Sequence, residues 1–252
     1  MLLLLRTTQG VTIISKMFKE VSKKEIKVNL IDRMGGDISI VRSARVSFAN
    51  DKSTSNFPIN EKDERLIKFL ARHGHWTPFA HTCLTFYVQA PIFVARQLGK
   101  HQVGLVWNEV SRRYIDHEPD IYHFSEWRER ALDKKQGSKE TPIENQKASE
   151  ASAILEFIDR LSTDAYNRLL SIDVCPEQAR SVLPMATMTR WYWTGSLYAF
   201  SRVCNLRLHG TSQKETAEVA KQISDICSDQ FPVSWKALSE QWLTTPPPPL
   251  AA

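Results

Sequence analysis

The chain has nine glycines in 252 residues, and none falls into GxGxxG, so the phosphate-cradling turn of a Rossmann dinucleotide fold lacks its signature. Gly99 and Gly104 have P-loop spacing, but Leu105 stands where the phosphate-binding lysine belongs. HExxH and GxSxG are missing as well, which removes the common zinc-protease and serine-hydrolase templates. Cys83, Cys175, Cys204 and Cys227 are far apart with no CxxC pairing, so neither a disulfide scaffold nor a zinc ribbon is suggested. A reduced, cytoplasmic compartment is the expectation. The apolar run Met1 to Leu5 stops at Arg6, short of the roughly 7 to 15 residues of a signal-peptide core. No other run approaches the roughly 18 apolar residues of a membrane span.

What remains is ample for a core: 42% of residues are apolar and 10% aromatic, and 252 residues fit one large domain or two small ones. Lys and Arg number 33 against 28 Asp and Glu, a net charge of +5, and the isoelectric point is near 9.0. This excess permits an anionic partner without demanding one. With Trp and Tyr set among arginines, a basic nucleic-acid-binding protein without catalysis is one alternative. Against it, the basic residues form no run and no nucleic-acid motif is present.

Along the chain, β-branched stretches at Val11–Ser15, Ile26–Ile31 and Ile38–Ser47 predict strands, with a turn at Gly35-Gly36-Asp37. Ile59–His73 carries Leu66, Ile67, Phe69 and Leu70 at helical spacing and stops at Gly74. Thr82–Ala90 alternates Leu84, Phe86 and Val88 with Thr85, Tyr87 and Gln89, a strand with one buried face. A helix is expected from Ile92 to Lys100, entered at Pro91, and residues 117–149 read as a charged, turn-rich surface insertion. Ile154, Ile158, Leu161, Ala165 and Leu169 paint an apolar stripe on a helix. Pro176 starts a short helix through Leu183, and Met185–Trp193 reads as a strand or extended link. Ser196–Leu208 and Thr211–Phe231 are further helices, and Pro246–Pro249 make a polyproline tail. The expected fold class is α+β: a single domain, 1–243, with a central, mainly antiparallel sheet flanked by helices, a helix-rich C-terminal half, and a proline-rich tail at 244–252.

Two clusters carry chemistry. Arg96 to Tyr114 pairs a helix bearing Arg96, Gln97, Lys100 and His101 with a polar loop offering Asn108, Glu109, Ser111, Arg112, Arg113 and Tyr114. Guanidinium forks and a hydroxyl suit a phosphate, and Asn and Glu suit a base or sugar edge. The same residues would equally make a solvated helix face and a salt-bridged loop, and spacing does not separate the two. The other cluster, His73 to His81, has three histidines. A histidine-cluster metalloenzyme is therefore a second alternative, but no carboxylate or cysteine accompanies them at ligand spacing and no metal site is expected.

His75-Trp76-Thr77-Pro78-Phe79-Ala80-His81, the segment Ala90 to Gln97, the triplet Lys100-His101-Gln102 and Asn108 to Tyr114 together resemble the flavin-dependent thymidylate synthase family. Glu177 to Pro184, Thr189 to Thr194 and Asn205-Leu206-Arg207 continue the match in the family order, over roughly Val41 to Phe231. Two departures stand out. The family's Arg-His-Arg triplet is Lys100-His101-Gln102 here, which weakens bidentate contacts to an anion, and eight residues instead of seven precede Ser111, so a bulge is expected in that loop.

The resemblance implies synthesis of dTMP from dUMP, with 5,10-methylenetetrahydrofolate as carbon donor and FAD, reduced by NADPH, as hydride carrier. It implies Arg207 as the catalytic residue that stabilises charge on the pyrimidine. Gln97, Lys100, Glu109, Ser111, Arg112, Arg113, Arg180 and Arg207 would bind dUMP. Thr77, Lys100, His101, Gln102, Glu109, Ser196, Tyr198 and Arg202 would bind FAD, and His75 would seat the folate or NADPH. It further implies a homotetramer with active sites at subunit interfaces, acting on small molecules and not on nucleic acid or membranes.

Overall fold

The computed structural model describes residues 24–48, 58–131 and 137–242. The expected strand at Val11–Ser15 and the proline-rich tail lie outside them. The chain runs β1 (Lys27–Met34), α1 (Asp37–Arg45), a 3-10 turn (Val46–Phe48), α2 (Glu61–Arg72), a 3-10 turn (Thr77–His81), β2 (Cys83–Pro91), α3 (Ile92–Leu98), β3 (Leu105–Glu109), β4 (Arg128–Arg130) and β5 (Ser138–Pro142). It continues with α4 (Asn145–Ser171), α5 (Pro176–Ala179), a 3-10 turn (Arg180–Val182), β6 (Met188–Gly195), α6 (Leu197–Arg207), α7 (Lys214–Gln230) and α8 (Pro232–Trp242).

Four strands form a sheet in the order β1-β2-β6-β3, every neighbour antiparallel, and β4 and β5 make a separate hairpin. The alternation read in Thr82–Ala90 is real: Leu84, Phe86, Val88 and Ala90 are fully buried. Opposite them in β6, Trp193 pairs with Phe86 and Trp191 with Val88, so one face of the sheet is a wall of large apolar side chains. Phe200 of α6 meets Phe86 edge-on at 4.8 Å and Trp193 at 5.4 Å, and α1, α2, α3, α7 and α8 add Ile40, Val41, Ile67, Leu70, Leu98, Val219, Ile223, Trp235 and Leu238 to the same core. The other face is polar and only partly covered. There Thr85 hydrogen-bonds Thr194 at 3.0 Å, Tyr87 packs on Tyr192, and Arg190 Nε donates to Gln89 Oε1 at 3.0 Å.

Three expectations change. Ile38–Ser47 is a helix and not a strand. Its β-branched content is outweighed by the helical spacing of Ile40, Val41 and Ala44 and by Ser39, whose Oγ accepts from the Gly36 amide at 3.1 Å and secures the first turn. The polar stretch read as a loop contains the edge strand β3. It pairs with β6 in unbroken register from Leu105–Gly195 to Glu109–Trp191, and the ladder continues as Val110 N–H donates to the Arg190 carbonyl at 2.9 Å. No bulge interrupts it. The turn before β3 uses Gly104 at φ +74°, and the strands approach so closely that a Cβ on Gly195 would lie 2.5 Å from Leu105 Cδ2. Lastly, the α4 stripe exists, but Ile154, Phe157 and Leu161 are 58%, 65% and 56% exposed. Among the residues of α4, Tyr166 alone is buried. Within 117–149, Ile121 and Tyr122 are buried, and Tyr122 N–H donates to the Ala186 carbonyl.

α8 lies beyond the helices expected from the sequence. Asp37, the first residue of α1, accepts from the Val233 and Ser234 amides at 3.1 and 2.8 Å, capping α8 from almost two hundred residues away. Charge-assisted hydrogen bonds contribute roughly 1.5 to 3 kcal/mol each. Water at the opened helix end recovers part of the roughly 3 to 6 kcal/mol that two such bonds represent, so Asp37→Ala is expected to lower unfolding free energy by about 2 to 4 kcal/mol in urea titration, and Asp37→Asn by less.

Candidate active site

β2 leads directly into α3, and β6 leads through Ser196 into α6. Because the strands are antiparallel, the two helices leave opposite ends of the sheet, and their C-terminal ends meet. Ser196 fixes the start of α6, its Oγ accepting from the Ala199 amide at 3.2 Å. At the meeting point Arg207 Nε donates to His101 Nε2 at 2.9 Å, and Arg207 Nη2 donates to the Gln97 carbonyl at 3.3 Å.

An arginine has no acceptor, so His101 Nε2 must offer a lone pair and its ring proton must sit on Nδ1. The environment agrees. Burial first, then the charges of Arg207 and Arg202, push the His101 imidazole down from 6.5 to about 4, so it is neutral at ordinary pH. Burial likewise lowers Arg207 from its usual value, although a guanidinium remains charged. With Nε and one Nη2 hydrogen held by the protein, the remaining Nη hydrogens form a preorganised fork for a planar acceptor.

Beside this centre stands an aromatic and cationic wall. The Trp76 and Tyr198 rings lie 5.8 Å apart, with Trp76 half exposed. Thr77 begins the adjoining 3-10 turn, Arg202 follows Tyr198 by one turn of α6, and Lys100 and Gln102 flank His101; all but Tyr198 and His101 are exposed. His75 is exposed, its ring 6.0 Å from Phe69 and 6.5 Å from His73. Among the described residues, no group of three or more His, Cys, Asp or Glu is placed to hold a metal ion, and no helix is long and apolar enough to cross a membrane.

The remaining candidates gather elsewhere. Glu109 ends β3 and accepts from Thr189 Oγ1 at 2.7 Å and Trp107 Nε1 at 3.1 Å. Ser111 Oγ accepts from Arg113 Nε at 3.3 Å, Arg113 also donates to Tyr114 Oη at 3.0 Å, and Arg112 donates to the His117 carbonyl at 2.9 Å. Arg180 is exposed, its Nε directed at the Glu177 carbonyl. His101 precedes β3 and Ser111 follows it, so the strand, about 13 Å from Leu105 to Glu109, separates the Arg207 centre from the Ser111 cluster within one chain. Two residues outside the motifs, Gln213 and Thr216, and one inside a motif but without an expected role, Trp76, complete the picture. Trp76 builds the wall, and Gln213 and Thr216 both bond the side chain of Gln97.

These features define a two-layer α+β domain with a cationic, aromatic-walled polar centre. A family described as "thymidylate synthase complementing protein" matches residues 29–233. A flavin-dependent thymidylate synthase of Thermosipho africanus is 36% identical over 210 residues, covering 83% of this chain and 89% of that protein. One from Thermus thermophilus is 36% identical over 216 residues, covering 86% and 76%. Among solved structures, a UMP/dUMP methylase from Streptomyces cacaoi bound with 5-Br dUMP superposes with a TM-score of 0.79 at 28% identity, covering 86% of this chain and 96% of that one. The chain belongs to the flavin-dependent thymidylate synthase family.

The lowered imidazole sets a pH dependence with a definite sign. Between pH 6.5 and about 4 the unfolded chain holds a proton on His101 that the folded chain does not. This contribution to stability is therefore fully present above 6.5 and falls as pH drops toward 4. In an NMR titration the His101 ring is expected to show a midpoint near 4. Arg207→Gln should raise it, and a wild-type midpoint near 6.5 would contradict the arrangement.

Proposed function

We propose that this chain makes dTMP from dUMP by reductive methylation, with 5,10-methylenetetrahydrofolate as carbon donor and FAD, reduced by NADPH, as hydride carrier. The observation that carries this reading is the Arg207 fork, held by a neutral imidazole and a helix-end carbonyl so that its remaining Nη hydrogens are available to a ligand. Such a fork matches the O2/N3 edge of a pyrimidine and stabilises negative charge developing there, a preorganised donor in a half-buried setting.

The flavin reading rests on the chemistry of the wall. Lys100 and Arg202 offer cations for a diphosphate, and the His101 Nδ1–H and the hydroxyls of Thr77 and Ser196 offer neutral donors. The Tyr198 and Trp76 rings suit flat heterocycles. Lys100, His101 and Gln102 are assigned to one side of the flavin and His75 to the folate or nicotinamide ring; Glu109, at the far end of β3, would reach the flavin from the other cluster. The chemistry that FAD supplies when bound is redox. The residues of the chain bind, orient and polarise, which accords with the missing nucleophile motifs.

Ser111, Arg112, Arg113 and Arg180 are assigned to the nucleotide phosphate. Because β3 holds that cluster away from Arg207, a complete site draws the two from different copies of the chain, in a homotetramer. The exposed Ile154, Phe157 and Leu161 of α4 supply apolar surface for such an assembly. Small-molecule ligands, and not nucleic acid, are its partners, and the cytoplasm is its place.

Two measurements test this. With dUMP, methylenetetrahydrofolate, NADPH and FAD the protein should form dTMP with release of the C5 hydrogen, and Arg207→Ala should lower turnover about 10²- to 10³-fold. No dTMP from FAD-loaded protein would refute the activity. Phe157→Glu combined with Leu161→Glu should shift the native mass from tetramer toward smaller species. An unchanged mass would exclude α4 from the interface.

A further inference from the structure

Gln97 is expected, from the family resemblance, to touch dUMP, yet both ends of its amide are committed inside the protein. Its Oε1 accepts from Thr216 Oγ1 at 3.1 Å, and its Nε2 donates to Gln213 Oε1. Thr216 is fully buried in the first turn of α7, and Gln213 is the residue just before that helix. α3 has only seven residues, too few to hold its last turn by its own hydrogen bonds. That last turn carries both acceptors of Arg207: the Gln97 carbonyl itself, and His101, whose amide bonds back to the Leu98 carbonyl at 2.9 Å. The arginine's own backbone is braced from the same side, since Ser212 Oγ donates to the carbonyl of the neighbouring Leu206 at 3.0 Å.

We propose that Gln213 and Thr216 are positioning residues that pin the end of α3 through the Gln97 side chain and thereby set the Arg207 fork toward the nucleotide. This rests on the reading of Arg207 as the group that meets the pyrimidine. Gln97 then acts as a relay between α7 and the arginine. Neither positioning residue touches substrate.

The variant that isolates the effect is Thr216→Val, which keeps the branched shape and removes the one donor to Gln97 Oε1. A buried acceptor left without its donor leaves Gln213 alone to hold the Gln97 side chain, and the end of α3 then shifts enough to loosen the Gln97 carbonyl and His101 from Arg207. In FAD-loaded protein the dUMP dissociation constant, measured by calorimetry, is expected to rise about tenfold while FAD content stays that of the wild type. In the same protein the His101 midpoint should move up from the wild-type value, because the guanidinium that helps to depress it has withdrawn. Thr216→Ser, which restores the hydroxyl, should return both quantities. A role in stability alone would lower the melting temperature and leave the His101 midpoint and dUMP affinity of the folded protein untouched, and that result overturns the inference. If Thr216→Val does not fold, Gln213→Ala reads the same two quantities from the partly exposed partner. A shifted His101 midpoint in a protein that makes no dTMP would uphold the positioning and refute the activity, so the two claims fail separately.

Discussion

Everything in this molecule depends on the antiparallel pairing of β2 with β6, in which eight residues face eight in unbroken register. From Leu84, opposite Gly195, to Pro91, opposite Met188, the pair spans about 24 Å. Each strand launches a helix from its far end. The seven residues of α3 and the eleven of α6 together rise about 27 Å, so two helices directed toward one another close the gap. The meeting of Arg207 with Gln97 and His101 is thus a consequence of strand and helix lengths. A residue added to either helix would turn its last side chain by about 100° and miss the partner.

Electrostatics then do what geometry permits. An arginine beside a histidine is ordinarily a repulsive neighbour, and a protonated imidazole could not accept its N–H. Burial removes that option by holding His101 neutral, which converts a liability into an acceptor. The centre carries one permanent charge in a half-buried setting, with its direction fixed on the protein side. Compare Arg180 and Arg113, which lie on the surface and bond their own neighbours. Their guanidinium groups carry no such buried constraint.

How far the sequence speaks is clearest at particular residues. β2 is legible because Leu84, Phe86 and Val88 alternate with polar residues on a sheet that has one dry face. The helices α2 and α6 are legible from spacing and from caps at Asn60 and Ser196, and α7 from spacing alone. Ile38–Ser47 misleads because propensity is a weak guide when a Gly36–Ser39 cap and an apolar stripe favour the helix. β3 hides because it is an edge strand: Val106 and Asn108 are exposed, and pairing with β6 on one side alone demands no apolar alternation. The α4 stripe announces a helix but cannot say that nothing among the described residues covers it. At the site, the motifs point to Arg207, His101 and Gln97 individually. Their contact spans more than a hundred residues and leaves no local trace, and Gln213 and Thr216 belong to no motif. Only the fold brings them to Gln97.

The cap that Asp37 places on α8 has a further consequence, for the order in which the molecule can be made. Chain elongation delivers α1 and α2 early, but Asp37 waits for Val233 and Ser234, and the apolar faces of α2 and α6 wait for Trp235 and Leu238. A nascent chain still short of those residues carries an uncovered core. The helical layer closes only when Val233 to Leu238 are in place, so a chain that lacks them leaves apolar surface open to wrong partners.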